Sequence, residues 1–202
     1  MIAIIDYDMG NLRSVEKAFE RIGAKAVITR DAKTIDGAER VVLPGVGAFK
    51  DCMHNLVEYG LVEPVLRAIN SGRPFLGICV GMQLLFEEGR EFGTHKGLGV
   101  FKGTVERFPA EIDQKVPHMC WNTVRIRKSS PLLAGIEDDT FFYFVHSYYA
   151  KPADESIVLT TTEYGVDFTS SVASGNVYGC QFHPEKSQKA GLAVLKNFSE
   201  LK

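Results

Sequence analysis

The chain has 202 residues, 45% of them hydrophobic, which is enough for one domain with a sizeable core, and we expect a single domain spanning 1–202. Its 23 basic and 25 acidic residues leave a net charge of -2, which argues against nucleic acid or an anionic membrane surface as the partner. Because there is no apolar stretch near the roughly 20 residues that span a bilayer, no signal-like start and no CxxC pair, the sequence predicts free thiols in the cytoplasm.

The first half of the chain alternates between strand-like and helix-like patterns of apolar residues. Short apolar runs ended by turn residues predict strands at 2–6, 26–29, 40–44 and 74–79. Helical spacing of apolar residues predicts helices at 11–23, 51–71 and 81–89. Gly60 and Pro64 are expected to interrupt the second of these helices, since both residue types disfavour helix interiors. This alternation predicts a parallel sheet with helices on both faces.

The second half is dominated by strand-like runs at short spacing. They lie at 97–108, 123–128, 140–150, 156–165 and 167–183. Such runs predict antiparallel additions to the sheet or a small satellite sheet. An amphipathic helix at 189–202 closes the chain. The predicted fold class is therefore α/β, with an open mixed sheet that is parallel at its centre.

Cys79 lies at the end of a predicted strand, between Gly77 and Gly81. This is the G-x-nucleophile-x-G spacing of a nucleophile elbow, in which a tight turn raises the side chain above the sheet and glycines avoid Cβ clashes. The N-terminus of the helix expected after the turn favours thiolate over thiol. A buried packing cysteine accounts for the same pentapeptide, so the five residues alone leave both interpretations open.

His183 is the strongest candidate for the base that such a thiol needs at neutral pH. It follows an apolar strand and precedes Pro184, which biases it towards an extended backbone, so Glu185 two residues later is expected on the same side. That order gives the nucleophile, base and orienting carboxylate of a triad, although an exposed strand end with an ordinary histidine is the alternative. A zinc site from Cys120, Cys180 and His183 lacks standard ligand spacing, and no metal is expected.

The other histidines are weaker candidates for the base, and each lies in a loop, on a helix surface or at a strand end: His54, His95, His118 and His146. The last two could line a cleft or simply cap strands. The segment LPGVGAF (43–49) follows another predicted strand, and Gly45 and Gly47 permit close backbone approach to a ligand. Its backbone N–H groups, with that of Val80, are expected to form an oxyanion hole. A phosphate loop or a plain turn is the alternative, although the segment is not a Walker motif.

The ordered segments LPGVGAF, GICVGMQLLF (77–86) and QFHPEKS (181–187) closely resemble the class I (triad) glutamine amidotransferases. The chain most resembles the HisH family, the glutaminase subunit of imidazole glycerol phosphate synthase, over essentially its whole length. The resemblance implies a flavodoxin-like core without a cofactor. It also implies Cys79 as the nucleophile that attacks the glutamine side-chain amide, His183 as general base and acid, and Glu185 as the residue that orients His183.

The resemblance also implies the remaining site residues. Val46, Gly47 and Val80 would form the oxyanion hole, while glutamine would contact Gly47, Gln83, Ser147 and Tyr148. The implied partner is a (β/α)8-barrel cyclase subunit (HisF-like), which receives the ammonia in a heterodimer, in histidine and purine metabolism. The residues matching family positions at or near that interface are Asn11, Trp121, Tyr143 and Lys186. We further hypothesise that the Val46 N–H turns into the site only when partner and acceptor bind.

Two residues depart from the family pattern: Asp8 and Cys120 stand where glycine is usual. Neither replaces a triad residue, so they bear on docking of the partner rather than on catalysis. Three other functions stay open at the level of sequence. They are a paralogous glutaminase that feeds a barrel acting on an activated sugar, a stand-alone cysteine hydrolase, and a non-catalytic binding subunit.

Overall fold

The strands of the computed structural model, which describes residues 1–201, form one connected mixed sheet. In chain order they are β1 (Ile2–Ile5), β2 (Ala26–Thr29), β3 (Arg40–Gly45), β4 (Phe75–Cys79), β5 (Phe86–Gly89), β6 (His95–Lys96), β7 (Phe101–Arg107), β8 (His118–Ile126), β9 (Thr140–His146), β10 (Tyr148–Pro152), β11 (Val158–Glu163), β12 (Asp167–Ser174) and β13 (Val177–Cys180). The helices are α1 (Leu12–Arg21), α2 (Ala32–Asp36), α3 (Phe49–Glu58), α4 (Val62–Asn70), α5 (Val80–Gln83) and α6 (Gln188–Glu200). Short 3-10 turns lie at Pro131–Leu133, Glu155–Ile157 and Pro184–Lys186.

The centre of the sheet is parallel, in the strand order β2-β1-β3-β4-β13. Beyond β13 the sheet continues as β12-β10-β7-β5-β6, with β11, β8 and β9 branching from β12. In register, Gly45 pairs with Cys79, and Ile78 pairs with Cys180. Because parallel strands end at the same edge, the three segments that follow β3, β4 and β13 meet there. The mixed α/β class predicted from the sequence is confirmed.

The core lies around the central strands, whose apolar runs are fully covered. All four residues of β1 and all five of β4 are buried, as expected for strands packed on both faces. Helix α1 buries Val15 and Phe19, and the Phe19 ring lies 6.4 Å from that of Phe198 in α6. Within residues 1–201, no helix is both long and apolar enough to cross a bilayer.

The predicted helix at 81–89 is wrong beyond its first turn. The helix ends at Gln83, and Phe86–Gly89 is instead β5, which pairs with β7 and β6. Gly89 packs against the Phe49 ring, where an added Cβ would stand 2.5 Å from the ring. Pairing with two strands outside this segment has therefore overridden the local helical pattern.

The segment predicted as one interrupted helix at 51–71 is two helices, α3 and α4. Gly60 does break it, with a φ of +64° that suits glycine. Pro64 does not, because it occupies the first turn of α4, where its missing N–H has no intrahelical partner to lose. Of the predicted second-half runs, 167–183 is the hairpin of β12 and β13, and the strand at 123–128 begins earlier, at His118. The final position of the predicted helix at 189–202, residue 202, lies outside the described residues.

Candidate active site

Cys79 sits on a sharp turn between β4 and α5. Its φ of 55° and ψ of -114° are unusual for a residue with a side chain, a strain of about 1–3 kcal/mol that the surroundings must maintain. A Cβ on Gly77 would lie 2.6 Å from the Gly81 carbonyl oxygen, and a Cβ on Gly81 would overlap the Leu43 carbonyl oxygen. The two glycines are therefore needed for close packing, as the elbow predicts. However, α5 has only four residues, so the helix dipole expected to act on the sulfur comes from a single turn.

A cavity of about 250 Å³ lies over Cys79 and separates the two interpretations of this residue. The side chain is 3% exposed, yet it lines this cavity rather than packing wholly into the core. Most predicted site residues line the same space: Val46, Gly47, Cys79, Val80, Gln83, Ser147, Tyr148, His183 and Lys186. Residues from four distant segments thus meet at the edge where the parallel strands end. Their individual roles stay predictions.

His183 and Glu185 form a buried pair beside the sulfur. His183 Nδ1 lies 2.8 Å from Glu185 Oε1, and the two side chains are 4% and 2% exposed. The backbone between them is not extended as expected, because Pro184 starts a 3-10 turn that is closed by a Lys186 N–H bond to the His183 carbonyl. Burial by itself lowers the pKa of His183, but the nearby Cys79 sulfur and the Glu185 carboxylate together raise it to about 10. The charged imidazole is therefore favoured next to the sulfur.

Gln181 is a site residue that sequence reasoning missed. Its side chain is fully buried, and its Nε2 donates to Cys79 Sγ at 3.7 Å. Gln83 Nε2 donates to Gln181 Oε1 and to the Tyr148 carbonyl, both at 2.9 Å, so the Gln83 nitrogen is already engaged. Only the Gln83 carbonyl oxygen remains for a ligand. The available signal was the two-residue spacing from His183, because residues i and i+2 of a strand share a face.

Hydrogen bonds from two buried side chains hold the loop after β3 in place. The Tyr7 hydroxyl donates to the Pro44 carbonyl at 2.6 Å, and the Cys52 thiol donates to the Val46 carbonyl at 3.5 Å. Gly47 has a φ of +95°, which favours glycine. Both carbonyls that flank the Gly45–Val46 peptide are therefore anchored, while Val46 itself is 38% exposed at the cavity.

Three of the four predicted interface residues form one cluster next to the cavity, in which Trp121 and Lys186 are exposed and Tyr143 is half-buried. The Trp121 and Tyr143 rings lie 5.9 Å apart, and Lys186 Nζ lies 5.9 Å from the centre of the Tyr143 ring. Asn11 is exposed at the residue that precedes α1. Within residues 1–201, no group of three or more His, Cys, Asp or Glu side chains is arranged to hold a metal ion.

The two departures from the family pattern occupy different surroundings. Asp8 adopts a positive φ of 62°, a conformation that aspartate tolerates better than most residues. Hydrogen bonds from the Tyr59 hydroxyl and from Arg30 lower the pKa of its carboxyl group. Cys120 is half-buried in β8, and burial raises the pKa of its thiol.

His118 and His146 form a buried pair on neighbouring strands β8 and β9. His118 Nδ1 lies 2.9 Å from His146 Nε2, and the His118 ring stacks on those of Phe144 and Tyr164 at 4.9 and 3.9 Å. Burial lowers the pKa of His118 to about 4 and that of His146 to about 3. Both imidazoles are therefore neutral at pH 7, and of the two only His146 lines the cavity.

We expect the free energy of unfolding to fall as the pH is lowered from 7 to 5, by about 2 kcal/mol for each of these two histidines. The unfolded chain, with histidine pKa values near 6.5, binds protons in this window, whereas the folded pair does not. The contribution of the two neutral histidines to stability is thus fully present above pH 6.5 and is lost as the pH falls below it. Urea unfolding at both pH values would measure the effect. A His118→Phe variant, which keeps a stacked ring, should lose about 2 kcal/mol of the pH dependence, and an unchanged dependence would contradict the assignment.

Comparison with known proteins agrees with this geometry. A family model described as "Glutamine amidotransferase class-I" matches residues 3–201. The chain is 55% identical to "Imidazole glycerol phosphate synthase subunit HisH" of Geobacter sulfurreducens, covering 100% of this chain and 99% of the relative. It is 52% identical to the protein of the same name in Aquifex aeolicus, covering 96% and 94% of the two chains.

Solved structures of lower identity share the fold. A crystal structure of a glutamine amidotransferase has a TM-score of 0.77 at 20% identity, with both chains fully covered. The structure of PurLQS from Thermotoga maritima has a TM-score of 0.75 at 19% identity, covering 98% of this chain and 96% of that one. At such identities the likeness concerns the fold alone.

Proposed function

The chain belongs to the class I glutamine amidotransferases, and within them to the HisH family, and from that premise we propose that it is the glutaminase subunit of an imidazole glycerol phosphate synthase. It hydrolyses glutamine to glutamate and ammonia in the cytoplasm, as a step in histidine biosynthesis. The observation that carries this proposal is that Cys79 and His183 line one cavity, with His183 Nδ1 2.8 Å from Glu185 Oε1. The name of the full-length relatives favours the histidine pathway over the sugar-amination alternative.

The reaction proceeds in two halves. The thiol proton of Cys79 first passes to His183 Nε2, the nitrogen that Glu185 leaves free, and the sulfur then attacks the side-chain carbonyl carbon of glutamine. The resulting oxyanion accepts hydrogen bonds from backbone N–H groups of Val80 and of the Val46–Gly47 loop. His183 then protonates the leaving nitrogen, ammonia departs, and a glutamyl thioester remains.

Water completes the cycle. His183 takes a proton from the attacking water, the second tetrahedral intermediate collapses, and glutamate leaves with Cys79 regenerated. Glu185 keeps its acceptor contact with Nδ1 throughout, so that Nε2 faces the sulfur. The Gln181 amide donates a hydrogen bond to the sulfur at 3.7 Å, which holds the side chain of Cys79 in place.

Ammonia is passed to a (β/α)8-barrel cyclase subunit in a heterodimer. The cluster of Trp121, Tyr143 and Lys186 supports docking at the mouth of the cavity, because aromatic residues are enriched at interface centres. Asn11 belongs to the same proposed interface. Docking there would cover the cavity, and a rotation of the Gly45–Val46 peptide would complete the oxyanion hole only in the complex.

The direct test mixes the purified chain with the barrel cyclase and its nucleotide acceptor. Glutamine-dependent formation of imidazole glycerol phosphate, with glutaminase turnover well above that of the isolated subunit, is expected. Full turnover without any partner would refute the proposed rotation, and no glutamine use in the complex would refute the function.

Replacing Glu185 with glutamine is expected to lower kcat for glutamine hydrolysis roughly 100- to 10,000-fold, because an amide neither fixes the imidazole tautomer nor stabilises imidazolium. KM should change little, since Glu185 is not among the residues that line the cavity. Steady-state glutaminase kinetics of the complex would measure both constants. Glu200→Gln, an exposed carboxylate near the end of α6, is the matched control, and a Glu185 variant that keeps a third of the kcat would contradict the role.

A further inference from the structure

The buried pair of His118 and His146 belongs to a longer chain of hydrogen bonds. Asn122 Nδ2 lies 2.8 Å from the Glu163 carbonyl oxygen and 3.3 Å from His118 Nε2. His118 Nδ1 meets His146 Nε2 at 2.9 Å, and His146 Nδ1 lies 2.8 Å from the Tyr148 carbonyl oxygen. These hydrogen bonds therefore run from the end of β11 to the start of β10, at the wall of the cavity.

The direction of every bond in this chain follows from its two ends. A carbonyl oxygen only accepts, so His146 Nδ1 carries the proton that it donates to Tyr148, and the neutral ring accepts at Nε2. His118 must then donate from Nδ1 and accept at Nε2, where the Asn122 amide supplies the proton. Both neutral rings are thereby held in a single tautomer, the one protonated at Nδ1.

The Tyr148 carbonyl oxygen, at the end of this run of hydrogen bonds, is shared by two donors. It accepts from His146 on one side and from Gln83 on the other, at 2.8 and 2.9 Å, which occupies both of its lone pairs. The hydrogen bonds continue from Gln83 to the Gln181 side chain, and from Gln181 to the Cys79 sulfur. The orientation of the Tyr148 peptide is thus coupled to the amide that contacts the nucleophile.

We infer that His118 and His146 are positioning residues that hold the Tyr148 carbonyl, and with it the backbone of 147–148, in the orientation that binds glutamine. The inference rests on the proposed function, since glutamine is the ligand. Neither ring contacts the reacting atoms. Loss of the chain should therefore weaken glutamine binding more than it slows the chemical step.

A series of variants at position 146 separates positioning from mere packing. His146→Leu fills the space without a donor, whereas His146→Asn places an amide N–H near the position of Nδ1 and can still donate to Tyr148. In the complex with the cyclase, His146→Leu should raise KM for glutamine at least tenfold, with kcat changed less than threefold. His146→Asn should recover most of the wild-type KM. An unchanged KM in the leucine variant, or no recovery with asparagine, would overturn the inference.

Three further experiments cover loss of stability and failure of the proposed function. Phe198→Leu in α6 removes core packing away from the cavity, so it should lower the melting temperature without moving KM, and a matching rise in KM there would also overturn the inference. His118→Phe keeps the ring stack and should raise KM if the leucine variant does not fold. Nitrogen-15 histidine spectra of the wild-type chain at pH 7 should show both rings neutral with the proton on Nδ1. A proton on Nε2 of either ring would refute the chain of bonds, whether or not the protein hydrolyses glutamine.

Discussion

Replacing Cys79 with alanine is expected to abolish glutamine hydrolysis, by roughly 10⁵-fold or more, while the complex still makes imidazole glycerol phosphate from free ammonium. The methyl group of alanine cannot form the thioester, so both halves of the reaction are lost. The cavity and the docking surface remain, because Cys79 contributes a small side chain at its edge. Product formation by the complex, assayed once with glutamine and once with ammonium salt, would measure the two activities separately.

Cys180→Ala is the matched control for this prediction. Cys180 is a fully buried cysteine at the end of β13, away from the cavity lining, and burial raises the pKa of its thiol. Its replacement should leave glutamine-dependent activity within about threefold of wild type while lowering stability by about 1 kcal/mol. If the Cys79 variant kept its glutaminase activity, or if the Cys180 variant lost it, the assignment of the nucleophile would be wrong.

Gly81→Ala is expected to destabilise the fold by more than about 4 kcal/mol, the size that accompanies a clash with buried main chain. The added Cβ would overlap the Leu43 carbonyl oxygen, which belongs to β3 and cannot rotate away as a flexible side chain does. Relief requires β3 to separate from the turn that carries Cys79, so residual folded protein should also lose glutaminase activity. Urea unfolding, or soluble yield if the variant fails to fold, measures the effect.

Gly37→Ala serves as the control substitution. Gly37 has an ordinary φ of -86° at the end of α2, and its added Cβ would lie 3.3 Å from the nearest atom, the Lys33 carbonyl oxygen. Its free energy of unfolding should stay within about 1 kcal/mol of wild type. Equal stability of the two alanine variants would show that the turn around Cys79 tolerates a side chain at position 81.

Much of the fold was accessible from local patterns. The strand at 26–29 was predicted to the residue, and the alternation of strand and helix before Cys79 predicted the parallel centre of the sheet. The pattern failed at 86–89, whose residues suit a helix but pair with β7 and β6. Periodicity reports which face of an element is apolar, and it carries no information about which other segment that element pairs with.

For the candidate site, residue types and their spacing were enough to predict the chemically competent residues: a cysteine between glycines, a histidine before proline, and a carboxylate two residues later. The folded structure was needed to show that Cys79 faces a cavity, that Glu185 reaches His183 around a 3-10 turn, and that Gln181 contacts the sulfur. The same holds for the pairing of His118 with His146. Residue type and spacing are local properties, whereas burial, hydrogen-bond partners and the pKa values that depend on them arise only when distant strands pack together.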